Sequence, residues 1–318
     1  MRGWLRAVTA SVVVIVAAVS CGSPEPTVPD QDASPEIAED LSDEFLPHPD
    51  FNLTLGDLRA VTAGLAPDHR DSILATPQVF LHLVAEALQE PEELLWLVDR
   101  EHTLPADYVP TDLVSLSEQY GDRLTLNRPD LSLRALVMPD LLAMAEAARQ
   151  QGIDLDLSST YRSYRYQEWL FQYWVDQIGL ERAERSSARP GTSQHQLGTA
   201  IDFGSITGPF AEHPAGRWLA EHAWRYGFSL SYPRGYESIT GYIFEPWHFR
   251  YISRAGTRLE RRYFGGIQQF LLEFWDDRGP LFRERYRPAS APDAGSTDGG
   301  SSGGGGTSGG GGSPRSEG

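Results

Sequence analysis

Two stretches restrict the fold of this chain more than any other feature: Ser193-Gln194-His195-Gln196-Leu197-Gly198-Thr199-Ala200-Ile201-Asp202 and Glu245-Pro246-Trp247-His248. Between them they carry two imidazoles and two carboxylates, separated by a long intervening segment. Polar groups of this kind are buried only when they are bonded to something. A fold that brings His195, Asp202 and His248 together offers two nitrogens and one oxygen, a donor set suited to Zn²⁺. Catalytic zinc takes three protein ligands and leaves a fourth position to water.

The local pattern places these groups on recognisable elements. His195 falls in a loop before a predicted strand, Ala200 to Phe203, and Asp202 lies within that strand. Trp247 to Ile252 reads as a neighbouring strand, with His248 and Arg250 on one face and Trp247, Phe249 and Tyr251 on the other. Glu245 precedes Pro246, which holds its backbone extended. A turn at Pro246 brings the carboxylate to the side of His248, where it can exchange a proton with water. The competing reading makes Glu245 an ion-pair partner of Arg250. Arg162 stands between a strand end and a helix start, where a guanidinium can hold a carbonyl oxygen or a carboxylate by two bonds. A plain surface arginine is the alternative. Ser193 either bonds substrate backbone or caps its loop. His82, His102, His213 and His222 lack partners at ligand spacing and are expected to be bystanders.

The two ends of the 318-residue chain do not belong to a globular fold. Residues 1–20 have Arg2 and Arg6 before an apolar run and read as a secretory signal. Ala18-Val19-Ser20-Cys21 resembles a bacterial lipobox, so Cys21 is the expected lipidation site and membrane anchor. As the single cysteine it also excludes an intramolecular disulfide. Residues 21–50 are rich in Pro, Asp, Glu and Ser and read as a flexible tether. Residues 289–318 are a Gly/Ser-rich tail, also expected to be disordered. The net charge of −17 disfavours nucleic acid as a partner.

What remains is roughly 240 residues, enough for one sizeable core. Residues 51–96 read as a helical extension, with Leu81, Val84, Ala85 and Leu88 at helix spacing. Residues 97–288 read as the main domain. Pro105 and Pro110 favour an extended segment, and a helix is expected to start at Pro139 and stop at Gly152. Ile153, Leu155 and Leu157 alternate with aspartates as in a half-buried strand. Ser163 is placed to cap a helix over Tyr164–Ile178 whose inward face is expected to hold Trp169, Leu170, Tyr173 and Trp174. Arg217 to Tyr226 reads as a helix closed by Gly227. Phe228 to Tyr232 and Tyr242 to Phe244 read as strands, and Arg254 to Asp277 as helix with a break at Gly265-Gly266. The absence of a regular βαβ alternation predicts an α+β fold, with a mainly antiparallel central sheet flanked by helices.

From about Leu97 to Tyr251 the chain resembles the VanY-type D-alanyl-D-alanine carboxypeptidases, a branch of the zinc-dependent M15 peptidases. The resemblance is carried by Leu-Pro-Ala-Asp-Tyr-Val-Pro at 104–110, Tyr161-Arg162-Ser163 with Tyr166-Gln167, and Ser193-x-His195-x-x-Gly198-x-Ala200-x-Asp202. It continues through Tyr226-Gly227-Phe228 and Leu230-Ser231-Tyr232-Pro233 to Glu245-Pro246-Trp247-His248-x-Arg250-Tyr251. It implies Zn²⁺ on His195, Asp202 and His248, Glu245 as general base, and Arg162 on the polarised carbonyl. It also implies Ser193 and Gln167 as substrate contacts. The implied substrate is the D-Ala-terminated stem peptide of peptidoglycan; together with the lipobox at Cys21, the expected function is a membrane-anchored enzyme on the extracytoplasmic face of a bacterial cell envelope that removes the terminal D-Ala of such peptides. L,D-cleavage of tetrapeptide stems and a non-catalytic zinc-containing wall-binding module are the alternatives. Thr160 departs from the family, which often has glycine there; its side chain is expected to narrow the cleft or shift Arg162.

Overall fold

The computed structural model describes residues 43–288. The signal segment, Cys21, most of the tether and the Gly/Ser-rich tail fall outside the described residues. The first three helices are α1 (Leu55–Thr62), α2 (Pro67–Ala75) and α3 (Pro77–Ala87). Thr54 caps α1: its hydroxyl accepts from the Asp57 amide, and the Asp57 carboxylate accepts from the Thr54 amide. Prolines open α2 and α3, where a missing N–H costs nothing. A 3₁₀ turn, Glu92–Leu95, closes this segment.

The chain continues through β1 (Leu113–Ser115), α4 (Leu116–Tyr120), β2 (Thr125–Leu126), β3 (Ser132–Arg134), α5 (Met138–Arg149) and β4 (Asp156–Ser159). Next come α6 (Tyr164–Ile178), α7 (Leu180–Ser186), β5 (Ala200–Phe203), α8 (Pro214–His222) and β6 (Phe228–Leu230). The last elements are α9 (Glu237–Thr240), β7 (His248–Tyr251), α10 (Ser253–Tyr263) and α11 (Gln268–Arg285). Five strands form the central sheet in the order β2-β4-β5-β7-β6. Only β2–β4 is parallel. The fold is α+β with a mainly antiparallel sheet, as the mixed pattern predicts.

Strand alternation sorts the two faces of this sheet. Leu157, Ile201, Phe203, Phe249 and Tyr251 pack with Leu141 and Met144 of α5 and with Trp218 and Leu219 of α8. Asp202, His248 and Arg250 take the opposite face. Arg250 is fully buried, and its Nη2 donates to the carbonyls of Glu93, Leu94 and Trp96 at 3.3, 3.1 and 2.9 Å. Burial lowers its pKa to about 10, so it keeps its charge at neutral pH. A second core joins Phe80 and Val84 of α3 to Leu259 of α10 and to Leu271, Phe274 and Phe282 of α11. Leu95 and Leu97 both belong to it, so packing runs without a gap across residues 96 and 97.

Two local expectations are corrected. Ser163 does cap α6, accepting from the Tyr166 amide, but the helix faces the other way. Its buried residues are Gln167 and Phe171, whereas Trp169 is 59% exposed and Tyr173 43%. Leu170 is only half-buried and Trp174 is exposed. Tyr242–Phe244 is not a strand. The Ile243 amide donates to the Arg185 carbonyl on α7, and the Tyr242 ring packs against Tyr232 and under Arg100, which holds the segment as a loop.

Candidate metal centre and its cleft

Register brings the ligand candidates together. Ser159 of β4 stands opposite Asp202 of β5, and Asp202 stands opposite His248 of β7. Directly opposed residues project to one face, and His248 Nδ1 lies 3.1 Å from Asp202 Oδ1. His195 arrives from the 3₁₀ turn Gln194–Leu197 just before β5, its Nε2 3.2 Å from Asp202 Oδ2. The two imidazoles meet edge-on, ring centres 4.8 Å apart. One donor atom from each of His195, Asp202 and His248 lies within 4.8 Å of the others, the only such group among the described residues. Gly198 makes the turn possible. Its φ is +70°, and a Cβ there would lie 3.0–3.2 Å from Arg134, Leu113 and Pro110. Conformation and space both demand glycine.

Neighbours fix which nitrogen each imidazole presents. His195 Nδ1 donates to the Thr160 carbonyl at 2.6 Å, leaving the Nε2 lone pair inside the cluster. Burial, helped by the Arg162 charge, lowers its pKa to about 4, so the ring is neutral at neutral pH. His248 Nε2 donates to Gln194 Oε1 at 3.3 Å, leaving Nδ1 toward Asp202. Gln194 is held in turn: Oε1 accepts from Ser231 Oγ at 2.7 Å, and Nε2 donates to Gln268 Oε1 of α11 at 3.0 Å. Partners of this kind set ligand orientation and basicity. Burial opposes ionisation of Asp202, but His195 and Arg162 override it and hold the carboxyl well below the usual range. Asp202 Oδ1 is buried and has no hydrogen-bond donor. An orphaned carboxylate oxygen beside two imidazoles asks for a cation, and this set of two nitrogens and one oxygen fits zinc.

Arg162 follows β4 and is not a free surface cation. Nη2 donates to His195 Nε2 at 3.0 Å and to Asp202 Oδ2, Nε to Ser159 Oγ at 2.9 Å, and Nη1 to Gln167 Oε1 at 3.3 Å. Gln167, expected to touch substrate, is fully buried and does not line the cleft. Its Nε2 donates to the Ala188 carbonyl at 2.7 Å, so its amide holds Arg162 and cannot meet a ligand. Thr160 neither narrows the cleft nor displaces Arg162: its hydroxyl turns away and accepts from the Ser132 amide at 3.0 Å. What Thr160 brings to the site is its carbonyl.

Glu245 is buried, with Oε2 3.7 Å from His248 Nδ1. Burial, and then the Asp202 charge, raise its pKa well above the carboxylate range. No Glu245–Arg250 ion pair forms, because Arg250 is bonded to carbonyls of residues 93–96. Ser193 lines the cleft and makes no side-chain cap. The cleft holds about 350 Å³, within the span of small-ligand sites. Tyr232, Tyr242 and Trp247 line it alongside the polar cluster, and Tyr166, Leu170 and Trp174 of α6 line it as well. Sequence reasoning gave no role to Tyr232, whose ring centre is 4.8 Å from that of His248, nor to Gln194, Ser231 and Gln268. The available signal was the polar run Ser193–Gln196, which has no apolar residue to justify its burial except as bonded structure. The other expected bystander histidines stay outside; His102, for one, pairs with Asp99 at 2.8 Å.

The VanY family pattern, D-alanyl-D-alanine carboxypeptidase, matches residues 130–254, a span that includes every cluster residue described above. The D-alanyl-D-alanine carboxypeptidase of Enterococcus faecalis (strain ATCC 700802 / V583) is 31% identical over 206 residues, covering 62% of this chain and 70% of that protein. The chain belongs to the VanY family. YodJ of Bacillus subtilis (strain 168) is 34% identical over 180 residues, 55% of this chain and 65% of YodJ, so the match spans just under two thirds of that relative. Among solved structures, the LdcB LD-carboxypeptidase is similar with a TM-score of 0.51 and 30% identity, over 59% of this chain and 88% of that one.

Proposed function

We propose that this protein is a zinc-dependent carboxypeptidase that removes the terminal D-Ala from peptidoglycan stem peptides. The observation that carries the reading is the convergence of His195, Asp202 and His248 at the floor of a cleft that also holds Glu245. His195 Nε2, Asp202 and His248 Nδ1 are the atoms that would hold the ion. When bound, zinc supplies Lewis acidity, polarising a carbonyl and acidifying water. Glu245 takes the proton of the attacking water and returns it to the departing amine. Arg162, fixed by Ser159 and Gln167, presents a guanidinium edge to the scissile carbonyl or to the terminal carboxylate. Ser193, which lines the cleft, bonds the substrate backbone in this reading.

The likeness to the LdcB LD-carboxypeptidase favours a second specificity, L,D-cleavage of tetrapeptide stems. One experiment separates the two: incubate the purified protein with synthetic pentapeptide and tetrapeptide stems and weigh the products. Loss of one alanine from the pentapeptide alone supports the D,D reading, and loss from the tetrapeptide alone supports the L,D one. No loss from either with zinc bound sinks both and supports a non-catalytic wall-binding module. We further propose that a lipid on Cys21 anchors the chain to the extracytoplasmic face of a bacterial membrane. Support comes from the basic, apolar and small-residue order of residues 1–21. No described helix is long and apolar enough to cross a membrane. Cys21→Ser is expected to move the protein from the membrane fraction to the soluble one.

A further inference from the structure

Helix α6 shows solvent the side chains that a helix normally hides. Tyr166, Trp169, Tyr173 and Trp174 are all exposed, while Gln167 lies inside. The four rings form one ladder: Tyr166–Trp169 at 5.6 Å between centres, Trp169–Tyr173 at 5.9 Å with planes 23° apart, and Tyr173–Trp174 at 5.2 Å. The ladder begins at the metal cluster's own cleft, which Tyr166 and Trp174 line.

Large exposed apolar groups in a row mark a binding surface, and three features of this one decide what fits it. The ladder is small. Four side chains of roughly 200 Å² each, less than two thirds exposed, offer on the order of 350 Å², well short of the ~800 Å² per partner of an ordinary protein interface. The helix has no basic face. Arg165 is outweighed by Glu168 and Asp176, which argues against an anionic membrane surface. The ladder is also flanked by exposed hydrogen-bonding groups, Gln172 and Asp176 among them, the two joined at 2.9 Å. A flat apolar platform with polar edges matches a pyranose ring, which has C–H faces and a hydroxyl rim.

We propose that the α6 ladder is a carbohydrate subsite, stacking N-acetylated sugars of the glycan strand while the attached stem peptide enters the cleft. This rests on the reading of the cleft as a stem-peptide site. The enzyme therefore prefers glycan-linked stems to free peptides.

The test compares full-length wild type with a Trp169→Ala/Tyr173→Ala double variant, two residues that do not line the cleft. On a disaccharide-linked pentapeptide the wild type should exceed the free pentapeptide in kcat/KM by about tenfold, through KM. The double variant should lose that advantage and keep its free-pentapeptide value. Trp169→Phe/Tyr173→Phe, which keeps the stacking faces, should retain the advantage. Calorimetry with the N-acetylglucosamine tetramer reads the same surface without turnover, and the double variant should bind it at least about tenfold more weakly. Equal tetramer binding by wild type and double variant, or none by the wild type, overturns the subsite. So does a double variant that loses only its partition onto phosphatidylglycerol vesicles, which would make the ladder a membrane contact. If neither peptide substrate is cleaved, the activity reading fails and the tetramer titration still decides the ladder.

Discussion

Two groups of side chains line the same cleft under opposite rules. On β5 and β7, Asp202 and His248 are almost wholly buried, whereas α6, which supplies Tyr166, Leu170 and Trp174, leaves its largest apolar residue 59% exposed. The difference shows that burial here follows bonding and not polarity. Each imidazole in the buried group has an acceptor for its N–H, and Asp202 has Arg162. On α6 the inward positions go to Phe171 and to Gln167, which Arg162 needs, and the remaining rings are left on the exposed side, packed on one another.

The comparison breaks most sharply at the metal ligands. His248→Ala is expected to lose both zinc and turnover, while Glu245→Ala keeps zinc and loses roughly 10²–10⁴-fold in kcat. Metal content by mass spectrometry beside the product assay checks this, and equal metal loss in the two variants would remove the distinction between ligand and base. The inward side of α6 comes next. Phe171→Ala should cost about 3–4 kcal/mol in denaturant unfolding.

Glu260 sharpens the contrast because it is buried in α10 away from the cleft, beside Ser229. Burial raises its pKa from 4.5 to about 7. The folded chain therefore holds the proton more tightly than the unfolded one. Its stabilisation is complete below about 4.5, declines as pH rises, and is gone above about 7. Glu260→Gln should flatten that decline, by on the order of 3 kcal/mol between pH 4.5 and 8, with turnover unchanged. A parallel change in turnover would mean that Glu260 communicates with the cleft. Gln194→Ala, which frees His248 Nε2, should weaken zinc binding by about 10- to 100-fold in a competition titration. Trp169→Ala should be smallest, within about 0.5 kcal/mol of wild-type stability. A loss as large as that of Phe171 would show that the ladder is structural.

The grouping of His195, Asp202, Glu245 and His248 was legible because it is written in short spacings. His195 and Asp202 share one turn and strand, Glu245 and His248 share another, and each pair carries its own geometry. Strands β5 and β7 were legible for the same reason. The orientation of α6 was not, since helical periodicity defines an apolar stripe without saying which side meets the core. Gln167 was misread with it: its role depends on Arg162, five residues back, and on Ala188 beyond the next helix. The Gln194–Gln268 bond joins residues 74 apart, with nothing local to announce it. Tyr242–Phe244 has a strand's composition but spends its backbone on α7.

Arg250 sits two residues from His248 and is tied to carbonyls of residues 93, 94 and 96, upstream of the stretch that resembles the family. Excising a minimal domain at residue 97 would strip a cationic side chain of its acceptors and unseat the strand that carries His248. The leading helices are thus a prosthesis the sheet cannot shed, and an engineered truncation should start ahead of α1.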